Sequence, residues 1–161
     1  MKIISSGLIA LSLTLVLNST SQAATKYKTT ATAKTDFQVL DWNGGKVTVG
    51  TLKGILHTSG SDNASVPNGE SVQNCLIRVV RTNENTDVSA HCTITDKDGD
   101  MLYATSERRQ GDVTTGSSGK GRTRFIGGTG KYRGATGGCE YTSKYLPENW
   151  LVVESDCVRD Y

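Results

Sequence analysis

Cys75-Leu76-Ile77-Arg78-Val79-Val80-Arg81-Thr82-Asn83-Glu84-Asn85-Thr86-Asp87-Val88-Ser89-Ala90-His91-Cys92 decides the architecture. Its two cysteines lie symmetrically about Thr82-Asn83-Glu84-Asn85. Folding the segment at that turn sets Cys75 opposite Cys92, Ile77 opposite Ala90 and Val79 opposite Val88. Directly opposed Cβ atoms of an antiparallel pair lie about 4.5–5.5 Å apart, a small adjustment from a disulfide. Side chains alternate with period 2, so these residues share one apolar face.

The same face continues on both sides. Lys97-Asp98-Gly99 predicts a three-residue loop with glycine at the left-handed position, which sets Ile94 opposite Leu102 and Cys92 opposite Ala104. A one-residue slip would turn that whole apolar set outward, so the pattern specifies register as well as pairing. Cys139 and Cys157 repeat the symmetry about Pro147-Glu148-Asn149, where proline presets φ and asparagine tolerates the left-handed position. One face of that hairpin carries Cys139, Tyr141, Ser143, Tyr145, Leu151, Val153, Ser155 and Cys157, and the other carries Glu140, Thr142, Lys144, Glu154 and Asp156. The charged face is expected in water and the cysteine face inside.

Residues 26–33, 37–42, 46–56 and 122–126 supply the other strand candidates, with polar loops at 58–68 and 110–120. No segment beyond the first residues keeps an apolar repeat at helical spacing. Seven or eight antiparallel strands leave exposed edges unless they close, and eight close around an interior wide enough for side chains or one small ligand. The expected fold is therefore all-β, a single antiparallel eight-stranded β-barrel stapled by two hairpin disulfides; a two-sheet sandwich is the alternative.

Met1-Lys2, an apolar run to Leu17 and Ser21-Gln22-Ala23 read as a secretory signal peptide over residues 1–23, leaving a barrel domain at 24–161. The run is too short and too serine-rich for a membrane span. A secreted or periplasmic location permits disulfides, and an even cysteine count without a C-x-x-C pair favours them over zinc. Net charge is +2, and losing Lys2 brings the 18 Lys and Arg still closer to the 16 Asp and Glu. Such a balance gives no general attraction to nucleic acid. Arg108, Arg109, Lys120, Arg122, Arg124, Lys131 and Arg133 face only Asp112 within residues 108–133, which reads as a solvated basic face.

Phe125-Ile126-Gly127-Gly128-Thr129-Gly130-Lys131-Tyr132-Arg133-Gly134-Ala135-Thr136-Gly137-Gly138 is the most distinctive string. It is not a phosphate loop, because Phe125 stands at the first glycine and Tyr132 replaces the magnesium-binding Ser or Thr. Nor is it a dinucleotide fingerprint, since Arg133 occupies the last glycine position. The string resembles the F-x-G-G-T-G-x-[YF]-x-G-A-x-G segment of allene oxide cyclase and dirigent-like barrel proteins, over about residues 120–146. That resemblance implies an eight-stranded antiparallel barrel with an apolar cavity and no cofactor, used by some members to steer cyclisation of a reactive intermediate. The family's catalytic residues do not map onto this chain, and its two disulfides are a departure. Physically, Gly127, Gly128, Gly130, Gly134 and Gly137 around Tyr132 allow positive φ and close chain approach at a barrel corner.

Other candidates have bland readings. Asp96, Asp98 and Asp100 with Glu107 follow the order of a calcium loop, but Met101 occupies the required glycine position and Asp98-Gly99 is explained by the hairpin. No metal is therefore expected. Glu140 and Asp156 face each other on the solvent side; paired carboxylates can act as acid and base, but so placed they destabilise the strand pair unless a neighbour such as Lys144 or Arg159 compensates. His91 shares the outer face with Leu76, Thr93 and Tyr103. Tyr141 and Tyr145 point inward with hydroxyls that need partners, and with Ser143 and Ser155 they either grip an aromatic or polar-headed ligand or simply pack.

Two functions fit this pattern. In one the barrel holds a small apolar or aromatic ligand, as a carrier or as a cofactor-free cyclase or isomerase scaffold. In the other the interior is filled by side chains and the protein is a non-catalytic interaction module outside the cytoplasm.

Overall fold

The computed structural model describes residues 24–63, 66, 68–82 and 86–160. The leader expected over 1–23 lies outside the described residues, as do Asn83, Glu84 and Asn85 of the first turn, and Tyr161. Eight strands follow in order: β1 (Thr25–Trp42), β2 (Gly45–Ser59), β3 (Gly69–Arg81), β4 (Thr86–Asp96), β5 (Met101–Arg108), β6 (Ser118–Gly128), β7 (Thr136–Tyr145) and β8 (Trp150–Asp160). Each pairs antiparallel with the next, and β8 returns to β1 to complete a closed barrel in place of a sandwich.

The cysteine arithmetic sets the register. Cys75 pairs with Cys92, Ile77 with Ala90 and Val79 with Val88 across β3 and β4, and Ile94 with Leu102 across β4 and β5. Cys139 pairs with Cys157 and Tyr141 with Ser155 across β7 and β8. Both disulfides form, with Cα atoms 4.1 and 4.0 Å apart, and no free cysteine remains. Two disulfides are compatible with an oxidising compartment. Among the described residues no helix is long and apolar enough to cross a membrane.

The inward side chains form one core that includes Tyr27, Leu52, Ile77, Val79, Leu102, Phe125, Tyr132 and Leu151 with three of the four half-cystines. Several boundaries differ from expectation. Residues 34–36 do not interrupt β1, because Ala33, Thr35 and Phe37 keep the inward alternation and Thr35 is buried opposite Leu52. Asn43-Gly44 closes β1 onto β2 with φ of 45° and 75°, the left-handed pair that a two-residue hairpin demands. β6 starts at Ser118 rather than at 122, and Gly119 and Gly121 are strand residues. A bulge opposite Tyr103 shifts the β5–β6 register between Leu102 and Ala104.

The two ends of the barrel are unlike. One carries the β1–β2 turn and the loops after β3, β5 and β7; the other carries the loops after β2, β4 and β6. β1 pairs with β8 only as far as Lys34, whereas it follows β2 to Trp42, so its last residues overhang with one edge unpaired. Val39, Leu40 and Trp42 stand exposed there.

Candidate functional site

Strand parity sends Tyr141, Ser143, Tyr145 and Ser155 inward, and all four line a cavity of about 120 Å³ along the barrel axis. A single water needs only about 10–15 Å³, so this is room for a small molecule. Tyr27, Leu52, Ile77, Leu102 and Phe125 give most of the wall its apolar character, and both disulfides face the same space. Ser106, Thr123, Tyr141 and Ser155 keep exposed area although they point inward, because they meet open space rather than packed neighbours.

Arg108, expected on the solvated basic face, instead enters this interior at the end beneath the β5–β6 loop. It is 2% exposed, its Nη1 donates to Ser143 Oγ at 2.7 Å and its Nη2 donates to the Asp112 carbonyl at 3.1 Å. Ser143 Oγ donates in turn to the Gly119 carbonyl at 3.2 Å. The guanidinium lies 5.6 Å from the Tyr145 ring centroid. Its Nε is buried with no hydrogen-bond partner, and none of the ion pairs among the described residues includes it. Gly119 is the reason it fits, since a Cβ there would strike the Arg108 guanidinium; a Cβ on Gly121 would likewise strike the Tyr141 ring. Two sequence signals were available. Arg108 continues the inward set Leu102, Ala104 and Ser106, and glycine at alternate strand positions marks close approach.

Burial pushes the Tyr141 hydroxyl up to about 12, against the opposing pull of Arg108. Tyr145 is raised for the same reason, with Arg108 again acting the other way. Both are neutral hydroxyls at ordinary pH, able to donate but unsuited to be bases.

The glycine string turns out to be a closure of the opposite end. Thr129 exchanges bonds with Met101, its N–H donating to the carbonyl at 2.8 Å and its Oγ1 accepting from the amide at 2.9 Å. A 3-10 turn at Gly130–Tyr132 follows. Lys131 Nζ then bridges Asp96 Oδ2 at 2.8 Å and Asp98 Oδ2 at 2.7 Å, and its backbone N–H donates to Asp100 Oδ2 at 3.2 Å. A Cβ on Gly130 would collide with the Asp100 carboxylate. Tyr132 is driven inward, where burial raises its hydroxyl to about 12, and Arg159 lies 4.8 Å above its ring while donating to the Lys131 carbonyl at 2.7 Å.

The acidic trio that resembled a calcium loop therefore serves a lysine. Burial works to raise the Asp96 carboxyl, but bonds from Lys131, the Asp98 N–H and the Tyr132 hydroxyl outweigh it and hold it below the usual carboxylate range. Asp98 is brought to about 2 by Lys131 and Lys97. Glu107 sits far along β5, opposite Ser89 and Arg122, and no cluster of three or more metal-ligating side chains occurs among the described residues.

Glu140 and Asp156 do face each other across β7 and β8. Their compensation comes from Arg122 at 3.4 Å and Lys28 at 3.6 Å on the flanking strands, not from Lys144 or Arg159. Arg159 could not serve, since parity after Cys157 puts it inside, 1% exposed. Of the basic run, Arg122 and Arg124 are solvated as expected, whereas Arg108 and Lys131 are committed to the two barrel ends. His91 is exposed beside exposed Leu76.

No protein-family model, curated protein or solved structure matches this chain.

Proposed function

We propose that this protein is a secreted or periplasmic barrel that binds a small, largely apolar molecule in its interior. The observation that carries the reading is the cavity of about 120 Å³, apolar over most of its wall, with polar groups that include Arg108, Ser143 and Tyr145 at one end and Arg159 at the other. Ligand sites have that composition: area from apolar side chains, orientation from a small number of placed polar atoms. Both disulfides line the cavity and pin adjacent strands of its wall, which limits the ordering cost of binding. The resemblance to allene oxide cyclase and dirigent-like barrels points the same way and adds the finer reading of a cofactor-free cyclase or isomerase scaffold. Neutral Tyr141 and Tyr145 would orient a polar head by hydrogen bonding, and exclusion of water would do the rest.

A second reading has its own observation. Val39, Leu40 and Trp42 on the overhanging part of β1, with Leu76 on the outer face of β3, are exposed apolar side chains suited to an interaction module.

Methyl chemical shifts separate the two. Trp42 and Trp150 both lie outside the barrel, so tryptophan emission is a poor reporter. With isotope-labelled protein titrated against a panel of small aromatic and aliphatic compounds, the Ile77, Leu102 and Val153 methyls shift saturably if the interior is a site. Unmoved interior methyls up to the solubility limit of every compound end the first reading.

A further inference from the structure

Resting on the reading of the interior as a ligand site, we infer that its ligand is a small carboxylate whose anionic group is held by Arg108, with its apolar body along the barrel axis. A guanidinium has five N–H donors; Ser143, the Asp112 carbonyl and the Tyr145 hydroxyl take three from Arg108 and leave two, including the buried Nε. Nε and one Nη form the planar fork that matches the two oxygens of a carboxylate. A desolvated cation is costly without an opposite charge, yet here Gly119 on β6 leaves the space that it occupies. Ser143 fixes the guanidinium from one side, and the Tyr145 ring flanks it.

Arg108 also bonds the Asp112 carbonyl, so it anchors the β5–β6 loop as well. That role alone explains neither the idle Nε nor the position of the group in the wall of an open cavity. Arg159, at the other end, is occupied by Lys131 and Tyr132 and is not part of the anion site. A volume of about 120 Å³ restricts the body to roughly a single ring or a short chain.

The test is titration calorimetry with methyl shifts on the unaltered protein, using benzoate and hexanoate against benzamide and hexanamide. The carboxylates are expected to bind at least about tenfold tighter than the amides, a preference of about 1.4 kcal/mol. In Arg108→Met that preference is expected to vanish while the amides still bind. Equal affinity of carboxylate and amide in the unaltered protein overturns the anion inference and leaves the cavity reading standing. Binding of neither, with interior methyls unmoved, overturns both. If Arg108→Met does not fold, the comparison on the unaltered protein decides alone.

Discussion

Replacing the two bridges separately by alanine pairs, Cys75→Ala/Cys92→Ala and Cys139→Ala/Cys157→Ala, measures what holds the barrel wall together. The bridged residues are 17 and 18 apart in sequence. Loops of that length remove about 3 kcal/mol of chain entropy from the unfolded state each, and the one-residue difference changes this by less than about 0.1 kcal/mol. For a domain of this size about 1 kcal/mol moves the melting temperature by roughly 3–4 °C, so each variant is expected to melt about 10 °C lower. Calorimetric melts, paired with urea unfolding, read both quantities. The urea slope should steepen in each variant, because an uncrosslinked unfolded chain exposes more surface. Near-equal losses are the signature of the entropic account. A loss confined to one pair, or shifts within about 2 °C for both, refutes it; four titratable thiols in the oxidised protein would remove the bridges themselves.

Three further outcomes follow from contacts described above. Gly138→Ala should cost about 2–3 kcal/mol, because its Cβ would meet the Thr123 carbonyl across the β6–β7 ladder, whereas Gly134→Ala, with open space but φ of +72°, should cost about 1 kcal/mol; urea midpoints rank them, and the reverse order contradicts the packing argument. Phe125→Ala, removing a 4% exposed ring, should cost about 3–5 kcal/mol, and a change under about 1 kcal/mol would show that the core does not close on it. Acid should weaken the lysine bridge: Asp98 titrates near 2 when folded and near 3.8 otherwise, so its contribution is complete above about pH 4 and fades as pH falls toward 2. Lys131→Met should flatten that acid dependence in a pH series of urea midpoints, and an unchanged slope would mean the bridge does not couple to folding.

Much of the barrel was legible because two constraints agreed. Cysteine symmetry and period-2 alternation each give the β3–β4 and β7–β8 registers, and neither depends on distant context. The resemblance of the 125–138 string pointed to the same architecture. Where context decides, the sequence misled. Lys34 to Asp36 looks like a break, yet Thr35 is accepted inside because its hydroxyl reaches the Asn149 carbonyl at 3.2 Å, a partner 114 residues away. Gly119 and Gly121 look like loop because their purpose is an absence, the space taken by Arg108 and Tyr141. The inward tyrosines and serines were found by parity alone, while Arg108 and Arg159, which obey the same parity, were discounted because charge is normally sent to solvent.

The seam between β8 and β1 joins residues separated by nearly the whole domain. Every other ladder links neighbours in the chain, so those hairpins can zip locally, but the ring is finished only when the last strand arrives. Until then two long strand borders stay open, one of them ending in Val39, Leu40 and Trp42. A polypeptide truncated before residue 150 should therefore associate with itself rather than remain as a slightly weakened monomer, with β1 as the adhesive border.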